Sequence, residues 1–361
     1  MKKVAILIAA LIVIAATAKA FVVVDGGDKS PVIGATVIGK SGIILGQTDI
    51  DGRISIGNKG DLPITIRCMG YEQLEYAGQG DTIALVPAEY QLGEVVVSPV
   101  ERPITRVICF GREYCTGVTA GDTMQIYCEY MAEAFLVDEK VKGYKKSDAD
   151  LKVRNTKMYA RIAKKDGKVS YFRPHEGDDV TMLTWFPYLA TFPQKTVEMP
   201  QPMIDGAETD TVMGKYAPKI MCHKKNNTFT RKVNFLSDYK SGEWSPSILK
   251  LLGMTVDFQS LTINDSYALN DRGNYGVYDF VSSIYNIHML ARGKIVKLAM
   301  GAKDPIDMDS FFELFPVEIT HCTVEEYKEL RSDKEPIPFK SPADLPPLAP
   351  AVQSLIERID Q

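Results

Sequence analysis

Between residues 21 and 98, apolar residues arrive in short runs, and each run closes on turn-forming residues. The runs are Phe21–Asp25, Ala35–Ile38, Ile43–Thr48, Ile54–Ile56, Leu62–Cys68, Thr82–Val86 and Glu94–Val97. Between them stand Asp25-Gly26-Gly27, Lys40-Ser41-Gly42, Asp51-Gly52, Lys59-Gly60-Asp61 and Gly78-Gln79-Gly80. Ile54-Ser55-Ile56 and Ile64-Thr65-Ile66 alternate apolar with polar, the period of a strand with one buried face. Short strands at this spacing predict an all-β sandwich of seven strands.

The pattern changes after Ser98-Pro99-Val100-Glu101-Arg102-Pro103, a linker over residues 99–104. Strand-like runs follow at Thr105–Phe110, Met124–Tyr130, Lys168–Phe172, Phe229–Asn234, Thr255–Ile263, Phe280–Leu290, Lys294–Met300 and Val317–Cys322. Helical signals are few. Ser245-Pro246 opens a short helix that Gly253 ends, and Thr323-Val324-Glu325-Glu326 is a capping box for a helix to about Leu330. Residues 105–334 therefore read as a larger, β-rich α+β domain. From Glu335 to Pro350 prolines recur too often for helix and favour an extended strap. The strap leads to Ala351–Ile359, where Val352, Leu355, Ile356 and Ile359 share one helical face. We expect residues 335–361 to be a strap and helix docked on their own domain.

The first twenty residues stand apart. Met1-Lys2-Lys3, the apolar run Val4–Ala16 and Ala18-Lys19-Ala20 have the charge, length and small-x-small ending of a secretory signal peptide, with cleavage expected after Ala20. Export places the chain in the periplasm, or at the outer membrane, of a Gram-negative bacterium. No later run is long enough for a membrane-spanning helix. Losing Lys2, Lys3 and Lys19 with the leader leaves 39 basic against 46 acidic residues, a formal −7, which makes nucleic acid an unsuitable partner.

Four ordered motifs in the first domain carry a family resemblance. They are Val32-Ile33-Gly34-Ala35-Thr36-Val37, Gly46-Gln47-Thr48-Asp49-Ile50-Asp51-Gly52-Arg53-Ile54, Ile66-Arg67-Cys68-Met69-Gly70-Tyr71 and Leu92-Gly93-Glu94-Val95-Val96-Val97. Residues 21–98 resemble the carboxypeptidase-regulatory-like (transthyretin-like) domain found ahead of TonB-dependent transporters and in other envelope proteins. The resemblance implies a prealbumin-like sandwich without catalytic residues. Two partners of that domain do not fit the rest of the chain. No His-x-x-Glu pair is present for a zinc carboxypeptidase, and the residues after Ser98 are too few for a plug and a barrel of about 22 strands.

Candidate chemistry is sparse. Thr48-Asp49-Ile50-Asp51-Gly52 has the Asp-x-Asp-Gly of a calcium loop, but a hairpin turn with Asp bonded to local amides accounts for it. The six cysteines show no CxxC spacing. Cys222 and Cys322 are candidates for a disulfide, with free buried thiols the alternative. Cys222-His223 and His321-Cys322 do not make a metal site, because neighbours on a strand point to opposite faces. His175-Glu176 and Asp178-Asp179 read as a solvated acidic turn. Trp185, Phe186, Tyr188 and Phe192 form the densest aromatic patch, either packing residues or a platform for sugar or peptide. We expect no catalytic, cofactor-binding or metal-binding residues. The function expected is that of a non-enzymatic envelope protein that binds or supports another envelope protein or a surface glycan. A lipid or lipoprotein carrier and a hydrolase of unfamiliar kind are the alternatives.

Overall fold

A computed structural model describes residues 19–49, 51–56, 62–68, 70–88, 102–137, 141–173, 203, 207, 209–212, 219–225, 228–236, 254–269, 275, 279–293, 305–342, 345 and 347–360. The chain is mainly β and divides into two compact units. One comprises Met1–Tyr90 with Pro346–Arg358, the other Gln91–Leu345 with Ile359–Gln361.

The first unit contains β1 (Lys19–Asp25), β2 (Thr36–Ile38), β3 (Ile44–Gln47), β4 (Arg53–Ile56), β5 (Ile64–Arg67), β6 (Leu74–Tyr76) and β7 (Thr82–Leu85). They form a three-stranded sheet, β4-β1-β7, and a four-stranded sheet, β3-β2-β5-β6. Phe21, Ile54 and Ile83 of the first sheet share one core with Val37, Ile64 and Ile66 of the second. The Phe21 and Tyr76 rings meet edge to face at 5.3 Å. β6 escaped the sequence pattern because three residues are too few to show a period; its pairing of Tyr76 with Ile64 makes it a strand.

Turn chemistry sets these short strands. The Asp49 carboxylate accepts from the amides of Asp51 and Arg53, so the Asp-x-Asp-Gly sequence is a hairpin turn bonded to itself. Gly52 has φ +70°, and a Cβ there would lie 2.4 Å from the Val23 carbonyl oxygen. Only glycine meets both conditions. Tyr71 donates to Asp25 at 3.0 Å, closing one end of the sandwich across 46 residues.

The second unit is built on one ten-stranded antiparallel sheet, in the order β11-β10-β9-β8-β17-β16-β15-β14-β13-β12. The strands are β8 (Ile104–Val118), β9 (Thr123–Val137), β10 (Lys152–Ala163), β11 (Val169–Phe172), β12 (Thr209–Val212), β13 (Lys219–Lys225), β14 (Thr228–Asn234), β15 (Met254–Ala268), β16 (Phe280–Gly293) and β17 (Ile306–Cys322). Several run far beyond the expected segments. The run expected to end at Phe110 continues as β8 through Gly111-Arg112-Glu113 to Val118. The run expected from Val317 begins at Ile306, so that Pro316 sits inside β17 beside a register shift between Pro316 and Glu318. A bulge is where a sheet tolerates a residue with no amide to donate.

Among the described residues, two α-helices follow the sheet. α1 (Val324–Ser332) starts on the expected capping box: the Glu326 amide donates to Thr323 Oγ1, and the Thr323 amide to the Glu326 carboxylate. α2 (Pro350–Asp360) buries Val352 and Leu355, and residues to Arg358 group with the first unit. The strap itself lies on the second. Asn155 donates to the Ile337 carbonyl at 3.0 Å, and the Lys157 ammonium sits 4.4 Å from the centre of the Phe339 ring. Arg102, expected in the linker, is tied to the His321 carbonyl and to Glu326.

The leader, Glu94–Val97, the Ser245-Pro246 helix, Lys294–Met300, the His175–Asp179 turn and the patch of Trp185, Phe186, Tyr188 and Phe192 all lie outside the described residues, apart from Lys19 and Ala20 in β1.

Candidate functional site

Register and alternation assign every described sheet residue to one of two faces. Face A is largely apolar in its middle, with buried Glu113 and Ser310 set among the apolar residues. One row across it runs Phe258, Met289, Met308, Gly117, Met124 and Ile162, on β15, β16, β17, β8, β9 and β10. Farther along the strands lie Ile263, Tyr285 and Phe312, with the last two rings stacked at 4.2 Å. Phe229, Tyr267 and Tyr275 form an aromatic group toward β14; the Tyr275 ring lies 4.6 Å from each of the other two.

Polar groups gather along one row of this face, besides Glu113 and Ser310 in the neighbouring rows. Arg231, Asp265, Ser283, Leu314, Gly111 and Tyr130 follow one another in register on β14, β15, β16, β17, β8 and β9. Arg231 has no exposed surface, and its guanidinium donates to Asp265 at 2.7 Å. Ser283 donates to the other Asp265 oxygen at 2.6 Å. Burial alone would lower the Arg231 pKa, but Asp265 outweighs it and keeps the guanidinium charged. Tyr130 is different. Its hydroxyl is fully buried and has no hydrogen-bond partner among the described residues, an arrangement that costs ~1–3 kcal/mol. Burial, with the Glu113 charge behind it, holds that hydroxyl well above the usual phenol range.

Face B carries the charge that the sheet neutralises internally. Arg112 and Glu313, direct partners on β8 and β17, pair at 2.9 Å with both side chains almost wholly buried. Glu133 accepts from Arg106 at 2.8 Å and also from Arg154. Asp148 receives Lys152, Arg331 and the Tyr327 hydroxyl. Nearer the Val118 end of β8, His288 Nε2 lies 2.7 Å from Asp307. Asp309, cross-strand partner of His288, is pushed up to about 6 by burial, with the His288 charge opposing and the Asp307 charge adding to the rise.

The candidate disulfide is corrected. Cys222 and Cys322 are both buried free thiols. Cys222 lies on face A of β13 and Cys322 on face B of β17, four strands apart, or roughly 19 Å at sheet spacing. No bridge spans that distance. Burial pushes both thiols up to about 11 and Cys115 to about 12, so these cysteines rest protonated. Among the described residues no group of three or more His, Cys, Asp and Glu is placed to hold a metal ion. No described helix is long and apolar enough to cross a membrane. Sequence reading missed Tyr130, Arg231 and Asp265 altogether. Their only local signal was polar residues at core-facing positions of strands, and those positions are defined by register.

No protein-family model and no curated protein matches the sequence. Among solved structures, one described as lipid-protein interactions in lipovitellin aligns with a TM-score of 0.30 and 9% identity, over 62% of this chain. The chain spans about a quarter (26%) of that lipovitellin chain.

Proposed function

We infer that this is an exported, non-enzymatic envelope protein that carries an apolar chain, a lipid or a lipoprotein acyl group, against face A of its large sheet. The observation that carries the reading is the apolar row of that face formed by Phe258, Met289, Met308, Gly117, Met124 and Ile162 across β15, β16, β17, β8, β9 and β10. Methionine is unbranched and flexible, so a surface rich in it repacks around chains of differing shape. The protonated thiols and internally paired charges add no competing chemistry to that face. Residues 21–98 serve as a carboxypeptidase-regulatory-like accessory module, a reading supported by the two-sheet arrangement and by the Asp49 and Gly52 turn. Cleavage after Ala20 removes the Lys19–Ile56 and Ala20–Ser55 pairs and keeps Phe21 opposite Ile54.

The test is direct. Protein purified from the periplasm of a Gram-negative host, extracted with organic solvent, is expected to release acyl lipid in stoichiometric amount by mass spectrometry. It is also expected to accept a pyrene-labelled acyl lipid from phosphatidylethanolamine–phosphatidylglycerol vesicles. Neither bound lipid nor transfer above the protein-free rate would remove the carrier reading.

A second reading, hydrolysis, is favoured by His288, Asp307 and Asp309, which gather an imidazole and two carboxylates with one carboxyl near neutrality. Hydrolysis of a nitrophenyl ester panel that disappears in His288→Ala supports it. No turnover, or turnover unchanged by the substitution, dismisses it.

A further inference from the structure

Toward the Val118 end of β8, face B opens to solvent and presents a serine, a histidine and a carboxylate side by side. β15 bulges there. Its register against β16 shifts between Phe258 and Ser260, so Gln259 and Ser260 both stand against His288. Phe258 and Leu261 lie in the core on face A. Strict alternation from Phe258 would send Ser260 to face A as well; the extra residue delivers it to face B, opposite the imidazole. Ser260 is exposed, and the His288 and Asp307 side chains keep 40% and 53% of their surface open.

The three residues follow one another on adjacent strands, β15, β16 and β17. His288 Nε2 lies 2.7 Å from the Asp307 carboxylate. A carboxylate only accepts, so Nε2 carries the proton and Nδ1 offers its lone pair. Residues directly opposite in an antiparallel pair have Cβ atoms roughly 4.5–5.5 Å apart, and one χ1 rotation puts the Ser260 hydroxyl within reach of the ring. Gln259 adds a neutral donor beside it, its carboxamide 3.5 Å from the Asp257 carbonyl. Leu290, half-buried, is the next residue of β16 on face B, and Asp257 stands opposite it.

We propose that Ser260 and His288 are the nucleophile and general base of an ester-cleaving site on face B, with Asp307 as positioning residue, acting on esters of short uncharged acyl groups. The proposal rests on the hydrolytic reading and names its nucleophile and substrate class. Leu290 offers apolar contact to a short chain, while Asp257, Asp307 and Asp309 repel an anionic one. Ser260 Oγ bonds to the carbonyl carbon as its proton passes to His288 Nδ1. The bond to the alkoxy oxygen then breaks, and the leaving alcohol takes that proton. Water, deprotonated in the same way, releases the acid and restores the serine.

The full chain is mixed with p-nitrophenyl butyrate, quenched in acid, digested and analysed by mass spectrometry. A butyryl group is expected on the peptide that carries Ser260. Ser260→Ala, at an exposed position, should keep its melting curve and lose both the acyl group and about 100-fold or more of the turnover, as should His288→Ala. Asp307→Asn should lower kcat and leave KM unchanged; unchanged kcat overturns the positioning role. Turnover that requires His288 but is unaffected by Ser260→Ala, or an acyl group on another residue, overturns the nucleophile and leaves the hydrolytic reading intact. No turnover by the parent protein removes both.

Discussion

The sandwich and the ten-stranded sheet are both antiparallel-rich β structure, but they are specified by different means. In the sandwich, strands of three to seven residues end at glycine and aspartate turns whose bonds are local, as at Asp49 and Gly52. In the sheet, strands of up to 17 residues run through glycine, proline and charge, held by partners far away in sequence. Arg112 and Glu313 are 201 residues apart. One unit is organised by its turns, the other by its ladders and buried pairs, and their weak points should differ accordingly.

The largest effect should come from opening a buried pair in the sheet. Arg112→Met removes the guanidinium that pairs with buried Glu313 and should cost ~3–5 kcal/mol, whereas Arg112→Met with Glu313→Leu should recover much of it. Chemical denaturation of the three variants checks this. Equal loss in the single and double variants would show that the pair is not the sheet's weak point.

In the sandwich the corresponding lesion is a turn. Gly52→Ala combines a left-handed backbone with a Cβ driven against the Val23 oxygen, and should destabilise that unit by ~1–3 kcal/mol. Hydrogen exchange resolved by peptide should show faster exchange in β1 and β4, with β8 and β17 unchanged. Uniform acceleration through both units would end the distinction drawn between them.

A smaller effect concerns pH, and it runs opposite to ordinary acid denaturation. Burial raises the Asp309 carboxyl to about 6. A carboxyl raised on folding contributes stability that is complete below its unfolded value, about 4, and lost as pH rises through about 6. Asp309→Asn should therefore stabilise the protein by ~1–2 kcal/mol at pH 7–8, with the advantage gone near pH 4. Melting curves across that range test it; an advantage that grows toward acid contradicts the assignment.

The mildest is the helix cap. Thr323→Ala removes the side-chain half of the capping box of α1 and should cost ~1 kcal/mol. Cys322 and Tyr327, packed in one cluster with Ile104 and Phe135, should report it through faster labelling of the Cys322 thiol. Unchanged labelling would mean that α1 is held by that cluster alone.

Legibility follows the same division. Six strands of the sandwich, the Asp49 turn and the capping box were readable because their causes lie within a few residues. The candidate bridge failed because spacing in sequence carries no information about strand order. Cys222 and Cys322 each look like a lone buried thiol at a strand position, and only the sheet puts them on opposite faces. Tyr130 reads as one more apolar-compatible residue of β9 until Gly111 is placed beneath it.

By itself the sequence determined the β class of both units, six turn-bounded strands of residues 21–85 and the start of α1, since each rests on local dihedral preference or a short hydrophobic period. Only the tertiary structure decided the order of ten strands, the bulge at Pro316, the pairing of Arg231 with Asp265 and of Arg112 with Glu313, and the orphaned hydroxyl on face A. Those depend on register between distant segments, with the paired residues 34 apart for Arg231 and Asp265 and 201 apart for Arg112 and Glu313. A single-residue slip in any one ladder would send each of these side chains to the other face.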